Sequence, residues 1–525
     1  MTPLTWPFSL VALGLAAIAA VPVAARWLRV AQREHYVPTW VSRMAWLWIL
    51  REPSTGVAAV VAAIAVIVAA IAPLTPLSAL ALAAIVLIAL LPFGLTTRGT
   101  SAKFVLTGRV KRLLVAWIVV HLVLAVALAA LLGAAGPALV LLLSAPLTDL
   151  ALAITAPIEK AGSKRFVDAA RTRLNQVKPR VVAITGSYGK TSTKNYVAHL
   201  LSGTYTTVAS PASFNNRLGL ARAVNDRLVP GTEVFVAEMG IFGSGEIREL
   251  STHFPPDIAA ITVIGEAHLQ RMRSTDVIFR AKAEITERAA TVVLPIDDPR
   301  LARLARDCAA AGKRVVTVSL QPDGDADVVL DAAAAGSGDA SGASTIRIGR
   351  DAAPVPVAVS GTGHAVNVAV AAGIALAADV PVATIAARLG DLPGSQHRAE
   401  VQQAPSGALI IDDTYNSNPV GAMRALEGAA RLAAEHGGEL VVVTPGMVEL
   451  GPVQDERNRA FAAAVKAAGG TLYAVGRTNR AALLAGYGEG AHAVATREAA
   501  VAAAVEKAAD RGVILYENDL PDHYP

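Results

Sequence analysis

At 525 residues the chain has room for three or four folding units, and its hydrophobic fraction of 53% exceeds what a wholly water-borne enzyme needs. The formal net charge of +5 calls for no nucleic-acid partner, and the single cysteine, Cys308, excludes an internal disulfide and a cysteine-rich metal site. The apolar excess sits in the first 160 residues together with all six tryptophans (Trp6, Trp27, Trp40, Trp46, Trp48, Trp117), mostly near the ends of apolar runs where indole favours a membrane interface.

Five segments read as transmembrane helices: Phe8–Leu28, Thr55–Ile71, Leu77–Leu95, Leu113–Leu132 and Pro137–Ile158. Each approaches the roughly 20 apolar residues that cross ~30 Å of hydrocarbon. The first has neither a basic leading region nor a cleavage site, so it reads as an anchor and not a removed signal. Arg26 at the end of the first segment and Arg29, Arg33, Arg43 and Arg51 after it make this side basic. Arg98, Lys103, Arg109, Lys111 and Arg112 follow the third, with no acid among them. The connections Pro73–Pro76 and Gly133–Gly136 carry no charge. The positive-inside rule then predicts a multi-pass membrane protein with five crossings, N-terminus outside and everything after Glu159 in the cytoplasm. His121 and Asp149 fall within these segments, where an ionisable group is either functional or a packed polar contact between helices. The loop Arg33-Glu34-His35-Tyr36-Val37-Pro38-Thr39-Trp40 reads equally as a lipid-headgroup contact or a plain interfacial loop.

Residues 159–180 are basic and polar and read as a linker. Strand-like runs then alternate with helical stretches at Val181–Ile184, Val234–Ala237, Ile258–Val263, Thr291–Leu294 and Arg314–Ser319, the pattern of a mostly parallel sheet with helices on both faces. Asp323–Ser344, rich in Gly, Ala, Ser and Asp, reads as a surface excursion. A new αβ pattern begins with a strand at Ala408–Ile411 and a helix from Val420. It continues with a strand at Glu439–Thr444, a helix from Asn458 and a strand at Thr471–Val475. The boundary between the two α/β patterns falls near Leu392–Gln403.

The stretch Thr185-Gly186-Ser187-Tyr188-Gly189-Lys190-Thr191-Ser192 closes the first of these strands and opens a helix. Glycines let backbone N–H groups approach phosphate oxygens, a lysine adds a point charge, and a threonine hydroxyl holds Mg²⁺. The loop is shorter than G-x-x-x-x-G-K-[ST], because Ile184 occupies the place of the first glycine. The predicted architecture is therefore an N-terminal α-helical transmembrane bundle (1–158), a linker (159–180), a P-loop-type α/β ATPase domain (181–395) and a Rossmann-like C-terminal α/β domain (396–525).

Downstream stand Asn215-Asn216-Arg217, Glu238-Met239-Gly240, His268 and the helical Lys282-Ala283-Glu284. Taken singly, Glu238 reads equally as a metal-holding carboxylate or a strand-end cap, His268 as a structural histidine, and Lys282 as a solvated helix residue. Together with Gly245-Glu246-Ile247 and Ile411-Asp412-Asp413-Thr414-Tyr415-Asn416-Ser417-Asn418-Pro419, their order behind the glycine loop resembles the Mur ligase family, from about Val181 to Val475. The Asp412–Pro419 stretch is most similar to the branch that adds D-alanyl-D-alanine.

The resemblance implies an ATP-dependent, ADP-forming ligase of peptidoglycan synthesis. In such a ligase a carboxylate becomes an acyl phosphate, an amine attacks it, and phosphate leaves as the amide forms. It implies a nucleotide held by Gly186, Ser187, Tyr188, Gly189, Lys190, Thr191, Ser192, Arg398, Asp412 and Asp413. Thr191 and Glu238 are implied for one Mg²⁺, and His268 and a carbamylated Lys282 for a second. Lys190, His268 and Lys282 take the catalytic roles, and Asn215, Asn216, Tyr415, Asn416 and Asn418 face substrate. The implied partners are a bilayer, a muropeptide-type acceptor, and an amino acid or dipeptide as the amine.

The chain departs from the family pattern at four places. Pro295-Ile296-Asp297-Asp298 stands for Asn-x-Asp-Asp, and His364-Ala365-Val366-Asn367 for His-Asn-x-x-Asn, with Asn367 one position off. Tyr516-Glu517-Asn518-Asp519 stands for Lys-Gly-Ser-Arg, and Gly446-Met447-Val448-Glu449-Leu450-Gly451 keeps part of its pattern. Membrane segments replace the soluble domain that binds the UDP end of the substrate, which points to a lipid-linked acceptor. The alternatives are a ligase for another membrane-associated polymer and a nucleotide-binding membrane scaffold without catalysis.

Overall fold

The computed structural model describes residues 7–97, 104–211, 214–241, 243–331, 344–357, 365–393, 400–414 and 417–525. The chain divides into a helical unit (Met1–Gly162 with Gly476–Thr478 and Leu520–Pro525) and an α/β unit (Ser163–Val475 with Asn479–Asp519).

The helical unit holds α1 (Pro7–Arg33), α2 (Trp40–Arg51), α3 (Pro53–Ile71), α4 (Leu80–Leu90), α5 (Gly108–Leu132), α6 (Ala135–Leu142) and the first part of α7 (Ser144–Val177). Among the described residues three helices are long and apolar enough to cross a membrane: Phe8–Arg33, Pro53–Ile71 and Gly108–Leu132. A fourth crossing arises only if α6 and α7, bent by 69°, form one span. The sequence led us to expect five. The third expected segment is a shorter helical stretch, Pro76–Leu90. It stops there because Pro92 disfavours helix at the residue before it. The fifth breaks at Leu143, two residues ahead of the Ala145-Pro146 pair, where the proline offers no N–H to a continuing helix.

Helix α2 fills a stretch that read only as part of a basic loop. Trp40, Val41, Met44 and Trp48 lie on one face of it and are buried. The Asp149 carboxylate of α7 accepts the backbone N–H groups of Val41 and Ser42, at 3.3 and 2.9 Å. It thus caps α2 from another helix, which makes Asp149 a packed polar contact. The loop before α2 sets Tyr36 under the Arg109 guanidinium, 4.0 Å from the ring centre, and Arg43 stacks over Trp40. The segment Leu520–Pro525 belongs to this unit. Asp522 pairs with the fully buried Arg29, His523 lies 2.8 Å from Glu34, and the Trp48 indole donates to the His523 carbonyl.

The α/β unit begins inside α7. The expected linker is helical through Val177, because Val167, Ala170 and Leu174 recur at helical spacing and are buried in the core. Then follow β1 (Arg180–Thr185), α8 (Lys190–Leu201), β2 (Thr207–Ala209), α9 (Arg217–Arg227), β3 (Val234–Glu238), α10 (Glu246–His253) and β4 (Ile258–Ile261). Next come α11 (Leu269–Met272), α12 (Thr275–Ala283), β5 (Thr291–Pro295), α13 (Pro299–Ala310), β6 (Arg314–Ser319), β7 (Val328–Asp331), β8 (Ser344–Ile348), β9 (Val355–Val357), α14 (Ala365–Ala377) and α15 (Val382–Leu389). The strands β1 to β9 form one sheet in the order β2-β3-β1-β4-β5-β6-β7-β8-β9, parallel from β2 to β7 and antiparallel beyond. Two apolar clusters cover its faces, one containing Ala183 and Phe235, the other Val182 and Val236. Alternation along buried strands divides these residues between the clusters.

The second sheet comprises β10 (Glu400–Gln403), β11 (Leu409–Asp413), β12 (Leu440–Thr444), β13 (Thr471–Val475), β14 (His492–Val494) and β15 (Val513–Glu517), in the order β10-β11-β15-β12-β13-β14. Helices α16 (Pro419–His436), α17 (Gln454–Ala467), α18 (Arg480–Tyr487) and α19 (Arg497–Ala508) connect its strands. All are parallel except β10, which pairs antiparallel with β11. Every strand expected from the sequence in both sheets is present, and β2, β7 to β10, β14 and β15 are additional. Much of the expected excursion at 323–344, and the middle of the expected domain boundary at 392–403 (residues 394–399), lie outside the described residues.

Candidate active site

β1 is paired on both sides and buried from Val181 onward, so its end is a fixed platform. Two glycines make the turn that follows. A Cβ on Gly186 (φ +156°) would fall 1.8 Å from Thr262 Oγ1, and one on Gly189 (φ +79°) 2.0 Å from Asn367 Oδ1. Neither position accepts a side chain. Asn367, one position out of the family pattern, therefore has its carboxamide against the turn, from the first turn of α14. Ser187 ties the turn to the neighbouring loop: its N–H donates to the Val263 carbonyl, its hydroxyl donates to the Gly265 carbonyl, and the Gly265 N–H donates back to that hydroxyl. Tyr188 lies beside Gly265, and burial holds its phenol above the ordinary tyrosine range. Ser192 is buried in the first turn of α8.

Two lysines converge on this turn. Lys190 Nζ donates to the Gly186 carbonyl at 2.9 Å, and Lys282 Nζ from α12 donates to the same oxygen at 3.0 Å. Lys282, expected from its helix position to be solvated, is 1% exposed. Burial, and then the charge of Lys190, push its amine well below the usual lysine range.

The register pairs Ile184 with Glu238, which sets that carboxylate beside the start of α8. Thr191 Oγ1 donates to Glu238 Oε2 at 3.0 Å, Lys194 Nζ reaches the same oxygen at 3.2 Å, and Asn215 Nδ2 donates to Oε1 at 3.2 Å. Glu238 and Lys194 are both almost fully buried. Among the described residues no three His, Cys, Asp or Glu side chains gather into a metal cage. A hydroxyl and a carboxylate side by side nevertheless fit Mg²⁺, which takes one or two protein oxygens and completes its shell with water and phosphate. Lys194 was not singled out from the sequence. Its signal is the spacing: four residues after Lys190, it lies one turn further along the same helix face.

His268 adopts φ +62° at the start of α11, and its Nδ1 lies 2.7 Å from Glu449 Oε2. Burial alone would raise the Glu449 carboxyl, but the hydrogen bond and charge of His268, with Arg271, hold it down to about 2. The Gln270 N–H donates to the Glu449 carbonyl, and Arg457 holds Glu266 through both oxygens, at 2.9 and 2.7 Å. The Gly446–Gly451 stretch, read only as a partial motif, thus supplies the acid that grips His268.

The remaining expected residues divide. Asn216 and Asn418 cap α9 and α16, their oxygens accepting the N–H groups of Gly219 and Gly421 at 2.9 Å. Asp412 and Asp413 end β11 in the second sheet. Asp412 accepts from Thr414, and the Asp413 carbonyl accepts the Asn518 N–H. Arg398, Tyr415 and Asn416 lie outside the described residues. Asp298 caps α13 and pairs with Arg300, and Asp297 accepts from Ser319 and Leu320.

The glycine turn at the end of β1, the lysines around it and the linked second sheet define a two-domain α/β protein built to hold an anion. Residues 184–375 match the Mur ligase middle domain and residues 397–516 the Mur ligase glutamate ligase domain. The chain belongs, by these two domains, to the Mur ligase family. It is 36% identical over 260 residues to the UDP-N-acetylmuramoyl-tripeptide–D-alanyl-D-alanine ligase of Mycobacterium bovis, a match covering 48% of this chain and 49% of that relative. The chain thus spans about half the length of such relatives. It is similar in structure to MurF from Acinetobacter baumannii (25% identity, TM-score 0.57, covering 67% of this chain and 76% of that one). MurF ligase from Thermotoga maritima, solved in complex with ADP, shares the fold (23% identity, TM-score 0.57, covering 68% and 80%).

Proposed function

We propose that the chain is a membrane-anchored, ATP-dependent carboxylate–amine ligase of muropeptide type that joins D-alanyl-D-alanine to its acceptor. The observation that carries this reading is the pair of lysines converging on the Gly186 carbonyl beside the Thr191–Glu238 pair. Lys190 and the backbone N–H groups of the turn bind the polyphosphate, and Thr191 and Glu238 hold Mg²⁺. That ion would offset charge on the transferring phosphoryl oxygens. Burial lowers the proton affinity of the Lys282 amine and so favours the neutral form that takes up carbon dioxide. Its nitrogen bonds to the carbon and loses a proton, leaving an anionic carbamate that joins His268 in holding a second ion. Asn215 orients the Glu238 carboxylate. Arg398, Asp412 and Asp413 meet the nucleotide from the second domain, and Tyr415, Asn416 and Asn418 face the amine and its acceptor.

The three apolar helices support a place in the membrane, with the α/β unit in the cytoplasm, and favour a lipid-linked acceptor over a UDP-linked one. A second reading, a ligase for another membrane-associated polymer, is favoured by Glu517. This buried acid stands where the family carries a basic Lys-Gly-Ser-Arg stretch.

The deciding experiment is ADP release by the detergent-purified chain with Mg-ATP. UDP-linked and lipid-linked muramoyl tripeptide are each supplied with and without D-alanyl-D-alanine, against Lys190→Ala. ADP that appears only with acceptor and dipeptide together, and not with the variant, establishes the ligase. Turnover of the UDP-linked acceptor alone removes the lipid-linked reading. Silence in every arm removes the dipeptide reading.

A further inference from the structure

Glu238 ends β3, a strand buried along its whole length, and its side chain is only 2% exposed. Oε1 accepts the Asn215 amide. Oε2 accepts twice, from the Thr191 hydroxyl at 3.0 Å and from the Lys194 ammonium at 3.2 Å. A carboxylate oxygen has two lone-pair positions, so Oε2 is filled. A cation that takes this oxygen has to displace one of the two donors.

Thr191 and a metal ion can share Glu238, because a hydroxyl that gives up this hydrogen bond still offers its own lone pairs as a ligand. Lys194 cannot share it. An ammonium has donors and no acceptor, and it repels a dication. Nor does water relieve it, since Lys194 is 1% exposed on α8. The neighbouring charges act in the same direction. Lys190 and Lys282 meet on the Gly186 carbonyl and Lys194 meets the Glu238 carboxylate, so these side chains sum to a positive charge even with Lys282 neutral. A bare dication is repelled there, and a polyphosphate is drawn in.

We propose that Lys194 is a positioning residue that closes Glu238 to free divalent cations, so that the metal enters only in company with the phosphates of the nucleotide. The inference rests on the reading of Thr191 and Glu238 as the Mg²⁺ ligands. Lys194 gives up Oε2 only once phosphate oxygens offset the charge of the lysines, and the ion then takes its place beside Thr191.

The test uses the full chain in detergent, with Mn²⁺ as a paramagnetic probe. Mn²⁺ alone is titrated against nucleotide-free protein, the free ion being read from its electron spin resonance signal. ADP binding is read by equilibrium dialysis with and without Mn²⁺. The unaltered chain is expected to bind ADP more tightly with Mn²⁺, a gain lost in Glu238→Gln, and to take up little Mn²⁺ without nucleotide. Lys194→Met should bind free Mn²⁺ about tenfold more tightly than the unaltered chain, the scale of one removed like charge, and adding Glu238→Gln should abolish that gain. Lys194→Gln, which keeps a donor but not the charge, should move the same way, and it serves if the methionine variant does not fold. A lysine that merely holds Glu238 in shape gives the opposite sign, weaker Mn²⁺ binding in the variants, and that result overturns the proposal. So does tight, Glu238-dependent uptake of free Mn²⁺ by the unaltered chain. An ADP affinity indifferent to both Mn²⁺ and Glu238→Gln overturns the metal-site reading instead, and the proposal with it.

Discussion

Lys190 and Lys282 donate to one and the same oxygen, the Gly186 carbonyl, over 2.9 and 3.0 Å. The buried Lys282 amine lies beside the Lys190 ammonium, so charging it is unfavourable until negative charge arrives. A phosphate at the turn or a carboxylate built on Lys282 supplies that charge. The fold holds the lysines in place on α8 and α12.

Lys282→Met separates stability from activity. It removes a buried amine whose charged form is costly, and it keeps most of the side-chain volume. The thermal midpoint should hold or rise, while acceptor-dependent ADP release falls on the order of 100-fold, the scale for losing one preorganised electrostatic contact. A variant that unfolds earlier yet still turns over would show that Lys282 is structural.

Lys194 and Glu238 pair inside the protein at 3.2 Å, and Thr191 and Asn215 share the carboxylate. Lys194→Met leaves Glu238 without its cation and should cost about 3 kcal/mol in denaturant unfolding. Adding Glu238→Gln should return most of that loss, because no buried charge then remains. Additive losses in the double variant would mean that the two side chains act independently.

The α/β core was legible because buried β-branched runs at Val181–Ile184, Val234–Ala237 and Ile258–Ile261 announce parallel strands whatever surrounds them. The glycine turn was legible for the same local reason; Glu238 at a strand end read equally as a metal ligand or a cap, and the role of Lys282 emerged only through family likeness. Lys194 and Glu449 were not legible. Each acts through a partner far off in the chain, Glu238 or His268; the spacing from Lys190 puts Lys194 on the right helix face but does not name Glu238, and Glu449 has no such signal. Asn216 and Asn418 carried a motif reading, but each caps a helix, a role open to any asparagine before a helical run. The helical unit was the least legible. Hydropathy measures how apolar a segment is, not where Pro92 or Pro146 interrupts it, and α2 owes its helix to tryptophans that pack inward.

Asp149 gives the helical unit a local test. It accepts two N–H groups at the start of α2 and sits on α7, so Asp149→Ala removes a cap that α2 itself does not provide. The expected loss is about 1 kcal/mol, the ordinary value for a helix cap. Trp40 and Trp48 are buried on α2, so tryptophan fluorescence in detergent follows the fraying directly. Asp149→Asn, which keeps an accepting oxygen, should recover most of the signal. If alanine leaves the emission unchanged, α2 is held by packing alone.

Glu517 makes stability depend on pH. It ends β15 between β11 and β12, fully buried, and accepts the hydroxyls of Ser417 and Thr444. Burial raises its carboxyl from an ordinary 4.5 to about 7, against the pull of those two hydroxyls and with help from the charge of Asp413. The native state therefore keeps a proton that the unfolded chain has already released between those values. The contribution of this group is complete below pH 4.5, falls as pH rises through about 7, and is lost above it. A shift of that size corresponds to about 3 kcal/mol. Glu517→Gln mimics the protonated form at every pH, so its urea midpoint should exceed that of the unaltered chain at pH 8 and match it at pH 5. The gap should open between those values. A constant gap across the range would mean that Glu517 is already ionised in the folded protein, with a cation supplied from elsewhere in the second domain.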